Sequence, residues 1–399
     1  MNIFSKFYCR VYQTILRVFL PWLPYREPTL LGNYDDLIKT LETNGFDNVL
    51  IVTDKGIRDL GLTNQLEQSL TDNGFSFFVY DGTVANPTTK NVEEALEIYK
   101  KNQCQCLIAF GGGSPIDCAK GVGARLACPN KTLNDMKGIL KINHRTPALI
   151  AIPTTAGTGS EATLAAVLTD SETHHKYVIN DFDLIPSYAL LDAKLTLGLP
   201  KHITSTTGLD ALTHAIEAYI GRSTTKSTRR HALTAIKLIF ENLETAYNDG
   251  SNLQARKRML KASYKAGLAF TKSYVGYVHA VAHSLGGKYN VSHGLANAII
   301  LPHMLKLYGK SVHKKLWKIG LFTGLFEETT TKEAGAKIVI EKIEEMNKNM
   351  GIPTKIKQIV ESDIPSLAKT AAKEANPLYP VPKLMSWKNL QTIYYMIKE

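Results

Sequence analysis

The chain has 399 residues, of which 44% are apolar and 21% are charged, and this is the composition of an ordinary globular protein. A chain of this length can enclose two or more hydrophobic cores. The net charge of +11 raises the question of a nucleic-acid partner. Lys and Arg are spread along the chain without a nucleic-acid-binding motif, so we expect a solvated basic surface and no nucleic acid.

All five cysteines lie in the first third of the chain, at Cys9, Cys104, Cys106, Cys118 and Cys128. Cys104 and Cys106 are two apart in a predicted strand, where alternate side chains point to opposite faces. We interpret the cysteines as reduced core residues of a protein in a reducing compartment, the cytoplasm.

Residues 1–26 form a basic amphipathic segment without an acidic residue. Apolar residues recur at helical spacing on one face and polar residues mark the other, namely Phe4, Tyr8, Val11, Ile15, Phe19 and Trp22 against Lys6, Arg10, Gln13 and Arg17. The apolar run is too short for a membrane span, and no cleavage site of a secretory signal follows. Three interpretations stay open: a helix at a membrane surface, an organellar presequence, or a helix packed on the protein's own body.

Strand and helix patterns alternate from residue 27 to residue 195. The predicted strands are Asn48–Thr53, Phe75–Tyr80, Cys104–Phe110 and Ala148–Ile152, with shorter candidates at Lys176–Ile179 and Tyr188–Leu191. Helical patterns occupy Leu30–Glu42, Ile57–Thr71 and Val92–Asn102. This alternation predicts an α/β domain with a parallel sheet. From residue 196 to residue 399 helical periodicity dominates and predicts an all-α domain, and we expect the functional site in a cleft between the two.

Two loops at predicted strand ends indicate a nucleotide. Gly111–Asp117 (GGGSPID) follows the predicted strand Cys104–Phe110 and contains a glycine turn and a helix start. Ser114 is the predicted N-cap and Pro115 the first helical residue. Such a turn exposes backbone N–H groups at the positive end of a helix, which suits a phosphate, although it is not the GxGxxG fingerprint. Pro153–Glu161 (PTTAGTGSE) adds hydroxyls at a second strand end. Asp54 follows a third strand, where an acidic residue can bind a ribose hydroxyl.

Tyr277–His303 concentrates four of the eleven histidines. His279 and His283 lie one helical turn apart, and Gly286 and Gly287 are expected to break the helix and let His293 return to the same point. Three converging imidazoles indicate a metal. Asp210 and His214, four apart on another predicted helix, add a carboxylate and a further imidazole. One carboxylate with three imidazoles suits Fe²⁺ or Zn²⁺ with coordination positions open to a substrate oxygen.

Taken together, the motifs resemble those of the iron-containing, group III alcohol dehydrogenases. The resemblance is carried by six segments in the expected order: VTD at Val52–Asp54, NPT at Asn86–Thr88, GGGSPIDCAK at Gly111–Lys120, PTTAGTGSE at Pro153–Glu161, GLDALTHAIEAY at Gly208–Tyr219, and HAVAHSLGG…HGLANAIILPH at His279–His303. It implies a nucleotide-binding α/β domain followed by a helical metal-binding domain. It also implies hydride transfer between a primary alcohol, or its aldehyde, and NAD(H), with the metal as Lewis acid on the substrate oxygen.

Carried over residue by residue, the resemblance assigns a role to each matching position. The metal ligands become Asp210, His214, His279 and His293. His283 becomes a neighbour of the metal and our candidate proton relay, and Phe270 lies near the substrate. The cofactor contacts become Asp54, Asn86, Gly112, Gly113, Ser114, Thr154, Thr155 and Lys176. Asp54 then favours NAD over NADP, and relatives predict a homodimer or a larger homo-oligomer.

The segment Lys272–Val275 differs from the residues that related enzymes often have there, so the substrate pocket is expected to differ. Two alternatives keep the scaffold: a zinc polyol (glycerol-type) dehydrogenase, and a hydroxyacid–oxoacid transhydrogenase in which Lys272 meets a carboxylate. A third is a membrane-surface scaffold that retains the fold and binds anionic lipid through residues 1–26.

Overall fold

The computed structural model describes residues 1–142 and 144–399, apart from the side chain of Pro21. The chain forms two compact units. Pro24–Gly198 is an α/β unit, and Leu199–Glu399 is a helical unit that also includes Met1–Leu23. The N-terminal helix, α1 (Ile3–Phe19), therefore belongs to the same unit as the C-terminal half of the chain.

The α/β unit alternates strands and helices along the chain. In order it contains β1 (Thr29–Leu31), α2 (Tyr34–Asn44), β2 (Asn48–Val52), α3 (Lys55–Asp59), α4 (Asn64–Asp72), β3 (Ser76–Tyr80), α5 (Thr89–Lys101), β4 (Cys106–Gly111), α6 (Gly113–Ala127), β5 (Gly138–Ile139), β6 (Ala148–Pro153), β7 (Ala165–Thr169), β8 (Lys176–Asn180) and β9 (Tyr188–Leu190).

A six-stranded parallel sheet in the order β1-β9-β6-β4-β2-β3 confirms the predicted architecture. Its central strands are continuous apolar runs because they are buried on both faces, with one hydrophobic core on each side of the sheet. A second, three-stranded sheet in the order β5-β8-β7 contains the antiparallel pair of β7 and β8. Since β2, β4 and β6 are parallel neighbours, their carboxyl ends lie at one edge.

Three local predictions in this unit were wrong. Leu30 lies in β1, and the helix begins only at Tyr34, where Asn33 caps it. The single helix predicted over 57–71 is two helices, since Gly61 takes a left-handed conformation with φ 67° between them. The third predicted strand begins at Cys106, so Cys104 precedes it, and both thiols are buried.

In the helical unit, α1 is followed after the α/β unit by a series of further helices. They are α7 (Lys201–Ile220), α8 (Lys226–Asn248), α9 (Leu253–Ser273), α10 (Tyr277–Tyr289), α11 (His293–Tyr308), α12 (Lys310–Thr323), α13 (Lys332–Asn349), α14 (Ile364–Ala375) and α15 (Trp387–Ile397). The middle of α7 and much of α10 and α11 are buried all round, so these helices form the core of the unit.

The prediction that Gly286 and Gly287 break the helix was wrong. The helix α10 continues through both glycines and ends at Asn290, whose left-handed φ of 54° reverses the chain. A helical glycine costs only about 1 kcal/mol, which burial of the rest of α10 offsets. Asn290 can adopt the left-handed conformation because its short polar side chain tolerates it.

No helix within the described residues, α1 included, is both long enough and apolar enough to cross a bilayer. The helix α1 packs against its own unit, and its carboxyl end passes into a short 3-10 turn at Leu20–Trp22.

Candidate functional site

Three helices of the helical unit bring one carboxylate and three imidazoles to one point. Asp210 and His214 are one turn apart on α7, His279 lies in the first turn of α10, and His293 begins α11. One potential ligand atom from each of the four lies within 4.8 Å of the others. Asp210 Oδ1 is 3.8 Å from His279 Nε2 and 3.4 Å from His293 Nε2. The four residues that the sequence assigned to a metal are thus assembled.

A buried carboxyl group, Glu217, orients His279. Its Oε2 lies 2.7 Å from His279 Nδ1 and accepts from the Gly276 N–H, and its Oε1 accepts from the Val278 N–H. Burial raises the pKa of Glu217 to about 7, and burial lowers the pKa of His279 well below its usual value. A neutral His279 that donates through Nδ1–H to Glu217 turns the lone pair of Nε2 toward the cluster.

Asn297, fully buried on α11, ties two members of the cluster together. Its Nδ2 donates to Asp210 Oδ1 at 2.7 Å and lies 3.1 Å from His293 Nε2. Sequence reasoning missed both Glu217 and Asn297. The available signal was their spacing, because Glu217 is three residues after His214 and Asn297 is four after His293, on the same helical faces.

His283 stands beside the cluster and outside the four-residue group. Its Nδ1 is 2.7 Å from Glu374 Oε1, which also accepts from the Tyr379 hydroxyl at 2.8 Å. Burial raises the pKa of Glu374. The adjacent His283 and the hydrogen bonds that Glu374 accepts from His283 and Tyr379 lower it, and together they hold the pKa of Glu374 below its usual value. The ring of His283 stacks on that of His293, with centroids 5.1 Å apart. Glu374 is a further residue that the sequence did not single out.

Phe270 lies against the cluster from the side of α9. Its ring stacks on His214 with centroids 4.1 Å apart and an angle of 12° between the planes. An aromatic ring in this position excludes water from one side of His214 and provides an apolar surface next to the imidazoles.

The donor set fits a divalent transition metal. Three imidazoles and one carboxylate are the ligands that Fe²⁺ and Zn²⁺ accept, and the carboxylate offsets part of the metal's charge. Within the described residues, no hydrogen-bond partner reaches the buried Nε2 of His279. A buried polar nitrogen without a partner is costly unless a ligand completes it, so this atom fits a metal ligand.

In the α/β unit, two loops lie side by side at the carboxyl edge of the sheet. The Thr154 N–H donates to Gly111 O at 3.0 Å and joins the glycine turn after β4 to the threonine-rich loop after β6. Gly111 has a φ of 152°, and a Cβ there would lie 2.5 Å from Pro115, so only glycine fits. A Cβ on Gly113 would lie 2.9 Å from Thr158 Cγ2.

Ser114 is not the N-cap that its sequence position predicted. The helix α6 begins at Gly113 with Gly112 as its cap, and no side chain of the described residues caps this end. The reason is that Gly112 lies in extended backbone and leads directly from the strand into the helix. An uncapped helix start at a glycine turn suits an anionic group, because the first N–H groups of the helix point outward.

Asp54, Asn86 and Lys176 lie near this edge, each with a partner in the protein. Asp54 caps α3, its Oδ1 accepting from the Ile57 N–H at 3.0 Å. Asn86 has a φ of 58° and accepts from Lys176 Nζ at 2.7 Å.

The two threonines assigned to the cofactor differ in their exposure. Thr154 is buried, whereas Thr155 is half-buried. Thr155 lies beside the glycine turn, since a Cβ on Gly112 would lie 3.5 Å from Thr155 Oγ1. The turn and the threonine-rich loop are therefore in close contact at this point.

Beneath the two loops a buried network fixes their spacing. Lys120 Nζ donates to the carbonyl oxygens of Ser160, Thr163 and Ala165. Asp117 Oδ1 accepts from Ser160 Oγ at 2.6 Å, which joins α6 to the threonine-rich loop. The sequence motifs contained Asp117 and Lys120, but spacing alone did not indicate that they hold one loop against the other.

The α/β unit has a parallel sheet with a glycine turn at its carboxyl edge, and the helical unit has a cluster of metal-ligand side chains. This combination is typical of a metal-dependent oxidoreductase with a nucleotide cofactor. Two family models match nearly the whole chain. The model described as iron-containing alcohol dehydrogenase matches residues 30–193, and the model of the C-terminal part of the iron-containing alcohol dehydrogenase family matches residues 204–397.

Individual proteins agree with the family models. The chain is 39% identical over 336 residues to 1,3-propanediol dehydrogenase of Citrobacter freundii, covering 83% of this chain and 87% of that protein. A crystal structure of 1,3-propanediol oxidoreductase superposes with a TM-score of 0.89 at 35% identity, over 93% of this chain and 98% of that one. Sulfoacetaldehyde reductase of Bifidobacterium kashiwanohense, solved in complex with NAD⁺, superposes with a TM-score of 0.83 at 27% identity, over 94% and 98% of the two chains.

The chain therefore belongs to the iron-containing alcohol dehydrogenase family, as its motifs predicted. It is an oxidoreductase of the alcohol dehydrogenase class, which interconverts alcohols and their aldehydes.

Proposed function

We propose that this protein transfers hydride between a small primary alcohol, or its aldehyde, and NAD(H), with a metal held by Asp210, His214, His279 and His293. The observation that carries the proposal is the convergence of these four side chains, together with the orienting hydrogen bonds from Glu217 and Asn297. A divalent metal in this set supplies a Lewis acid for the substrate oxygen, and it lowers the barrier to hydride transfer.

The protein's own side chains would then position the substrate and exclude water from the cluster. Phe270 covers one side of His214 and gives the substrate's carbon chain an apolar surface. Glu374 accepts from Nδ1–H of His283, which leaves Nε2 of His283 as the nitrogen that can receive a proton from the substrate hydroxyl or return it. Glu217 keeps Nε2 of His279 directed at the cluster.

For the cofactor we propose NAD. The supports are the glycine turn at the start of α6, the adjoining threonine-rich loop, and the related reductase solved with NAD⁺. Asp54, at the end of β2, disfavours a 2′-phosphate by its charge and so favours NAD over NADP. Gly112, Gly113, Ser114, Thr154 and Thr155 remain the proposed contacts of the phosphates and nicotinamide, with Asn86 and Lys176 at the side of the same edge.

For the metal we propose Fe²⁺, with Zn²⁺ as the alternative. The family is the iron-containing one, and the complete set of one carboxylate and three imidazoles supports it. Intrinsic affinity favours zinc over iron at such a site, so the metal bound in the cell depends on availability as well as on the ligands.

The decisive experiment is metal analysis of anaerobically purified protein, paired with reduction of NAD and NADP across short alcohols, diols and hydroxy acids. We expect about one iron per chain and faster reduction of NAD with a primary alcohol or 1,3-diol, in line with the propanediol relatives. Stoichiometric zinc with glycerol as the best substrate would favour the polyol dehydrogenase. Turnover without release of free NADH would favour the transhydrogenase, and a protein that binds metal without any turnover would favour the scaffold.

We also propose a reducing, cytoplasmic environment and a homodimer or larger homo-oligomer. The five cysteines are free and buried, which supports the reducing environment. The homo-oligomer is proposed from the family alone, and light scattering of the purified protein measures its mass.

A further inference from the structure

The helix α1 is attached to the helical unit by its polar face. Gln13 is buried and its Nε2 donates to Pro377 O at 3.2 Å and to Tyr379 O at 2.7 Å. Arg10 donates through its two terminal nitrogens to Val381 O at 2.8 Å and Pro382 O at 3.1 Å. These bonds satisfy backbone carbonyls of the segment that follows α14, and they fix the rotation of the helix about its axis.

Because the polar face is attached, most of the apolar face is exposed, although Phe4 and Tyr8 also line a groove against residues 372–388 of the same unit. Phe4 is 82% exposed, Phe7 70% and Trp22 73%. The other large apolar or aromatic residues exposed in this segment are Ile3, Tyr8, Val11, Ile15, Val18 and Phe19. A helix that only packed on its own protein would bury these side chains, so a continuous apolar surface of this size indicates a partner.

The surroundings of this face are basic. Lys6 and Arg17 lie on the polar side of α1, but unlike Gln13 they are exposed, and no acidic residue precedes Glu27. Lys315 on α12 donates to carbonyl oxygens at the end of α7. Burial, followed by the neighbouring cations Arg229, Arg222 and Arg17, lowers its pKa to about 8, so Arg17 has other cations near it.

The acid-free stretches of the sequence agree with this. No Asp or Glu occurs between Glu217 and Glu241, which covers the start of α8, or between Asp249 and Glu327, which covers α12. The basic residues looked evenly spread along the sequence. The fold brings some of them together, since Arg222 lies near Arg10 and Arg17 lies near Lys315.

The charge distinguishes between two occupants of the face. A second copy of this chain, placed on it by a two-fold axis, would bring a segment with the same exposed cations, Lys6 and Arg17, and no acidic residue against it, and like charges would oppose the contact. A surface of anionic lipid meets both features, because its acyl boundary accepts the aromatic and aliphatic side chains and its headgroups attract Lys and Arg. Trp22 at one end of the helix suits the same boundary, where tryptophan concentrates.

We propose that the exposed face of α1 docks this protein peripherally on anionic lipid, with Phe4, Phe7 and Trp22 entering the headgroup boundary and the neighbouring Lys and Arg residues contacting the headgroups. The helix lies in the plane of the surface and does not span it. This inference is independent of the hydride transfer proposed above, since none of these side chains belongs to the metal cluster or the glycine turn.

The test is flotation of the full-length protein with vesicles of phosphatidylcholine alone and of phosphatidylcholine with about 30% phosphatidylglycerol. We expect binding to the anionic vesicles, weaker binding to the neutral ones, and loss of much of the binding as salt is raised. The double variant Phe4→Ser/Phe7→Ser should bind at least about tenfold more weakly, because it removes two of the most exposed apolar side chains.

A matched control is Leu60→Ser, which removes an apolar side chain that is 75% exposed in the α/β unit, and it should bind as the unaltered protein does. Lys6→Gln and Arg17→Gln test the charge, each lowering binding to the anionic vesicles about fivefold. Alcohol-dependent reduction of NAD and the circular dichroism spectrum should be unchanged in all four variants, which shows that the protein still folds.

Trp22 offers an independent measure, because its fluorescence should shift to shorter wavelength on binding, and Trp22→Phe should remove that shift. The proposal is overturned if the unaltered protein does not float with anionic vesicles, or if Phe4→Ser/Phe7→Ser floats equally well. It is also overturned if that variant instead reduces the mass of the protein in light scattering, because a second copy then covers the face.

Discussion

The two candidate sites of this protein are built in different ways. The nucleotide edge of the α/β unit consists mainly of backbone, since Gly111, Gly112 and Gly113 bring a strand end and a helix start close to the loop of Thr154. The metal cluster of the helical unit consists of side chains from three helices, of which α7 is far in the sequence from the consecutive helices α10 and α11. Its geometry depends on buried partners such as Glu217.

This difference predicts how each site responds to substitution. A backbone site is sensitive to added volume and insensitive to the loss of charge, because its N–H groups remain whatever the side chains are. A side-chain site is sensitive to every ligand and to the groups that orient it. The variants below test this contrast.

The largest effect is expected for Asp210→Asn. The amide has nearly the same shape and can still accept from Asn297 Nδ2, so the fold should survive, but the anionic ligand is lost. We expect loss of most bound metal and a fall of about a thousandfold in kcat/KM, because a Lewis acid contributes several kcal/mol to the transition state. Metal analysis and steady-state kinetics measure both. Full metal content with normal kinetics would remove Asp210 from the ligand set.

Glu217→Gln should reduce metal affinity by about 10- to 100-fold although it removes no ligand. The amide has only one accepting oxygen, so its NH₂ group must face either the His279 ring and the Gly276 N–H or the Val278 N–H, and it can accept from none of them. The hydrogen bonds that fix the orientation of the imidazole are therefore weakened. Competition with a chelator gives the affinity. An unchanged affinity would mean that the helices alone orient His279.

His283→Ala should lower kcat by about a hundredfold while the metal content stays near normal, because the ring is expected to relay a proton and not to bind the metal. Glu374→Gln is the matched variant, since it keeps His283 and removes only the carboxylate that orients it, and its effect should be smaller. Loss of metal from His283→Ala would contradict the relay assignment.

Gly113→Ala tests the backbone site. The added methyl group would lie 2.9 Å from Thr158 Cγ2, and it must push the glycine turn and the threonine-rich loop apart. We expect the KM for NAD to rise about tenfold while metal content is unchanged. Gly198→Ala is the control, because no atom of the described residues lies within 4 Å of its added Cβ. Equal KM values for NAD in the two variants would show that the threonine-rich loop moves aside without weakening cofactor binding.

The smallest effect on turnover, and a measurable one on stability, is expected for Glu161→Gln. Burial raises the pKa of Glu161 to about 7, with a backbone hydrogen bond and Lys120 acting in the opposite direction. Between its usual pKa of 4.5 and about 7, the folded protein binds more protons than the unfolded one, so this group lowers stability as pH rises through that window.

Replacing Glu161 by the neutral amide removes this loss of stability at higher pH. The free energy of unfolding of Glu161→Gln, relative to the unaltered protein, should increase by up to about 3 kcal/mol between pH 5 and pH 8. Urea denaturation at both pH values measures it, with the exposed Glu97→Gln as control. A difference that does not depend on pH would mean that Glu161 does not titrate in this window.

The sequence was sufficient for the class of fold and for the residue types of both sites. Runs such as Val49–Val52 predict strands buried on both faces because alternation is missing, and glycines after a strand predict a phosphate turn wherever the turn lies. Those patterns are local. The exact helix start at Gly113, the split of the helix at Gly61 and the passage of α10 through Gly286 and Gly287 were not predicted, because neighbouring packing decides between conformations whose intrinsic energies differ by about 1 kcal/mol.

By itself, then, the sequence determined the alternating α/β half and the helical half. Helical spacing pairs His279 with His283, and only the resemblance of the motifs to a known family indicated Asp210, His214, His279 and His293 as the candidate ligands. Only the tertiary structure decided which groups Glu217, Asn297 and Glu374 contact, since their hydrogen bonds to His279, Asp210 and His283 join residues that are far apart in the sequence. It also decided which face of α1 is buried. The amphipathic pattern gives two faces, and only the carbonyls of residues 377–382 determine that the polar one is inside.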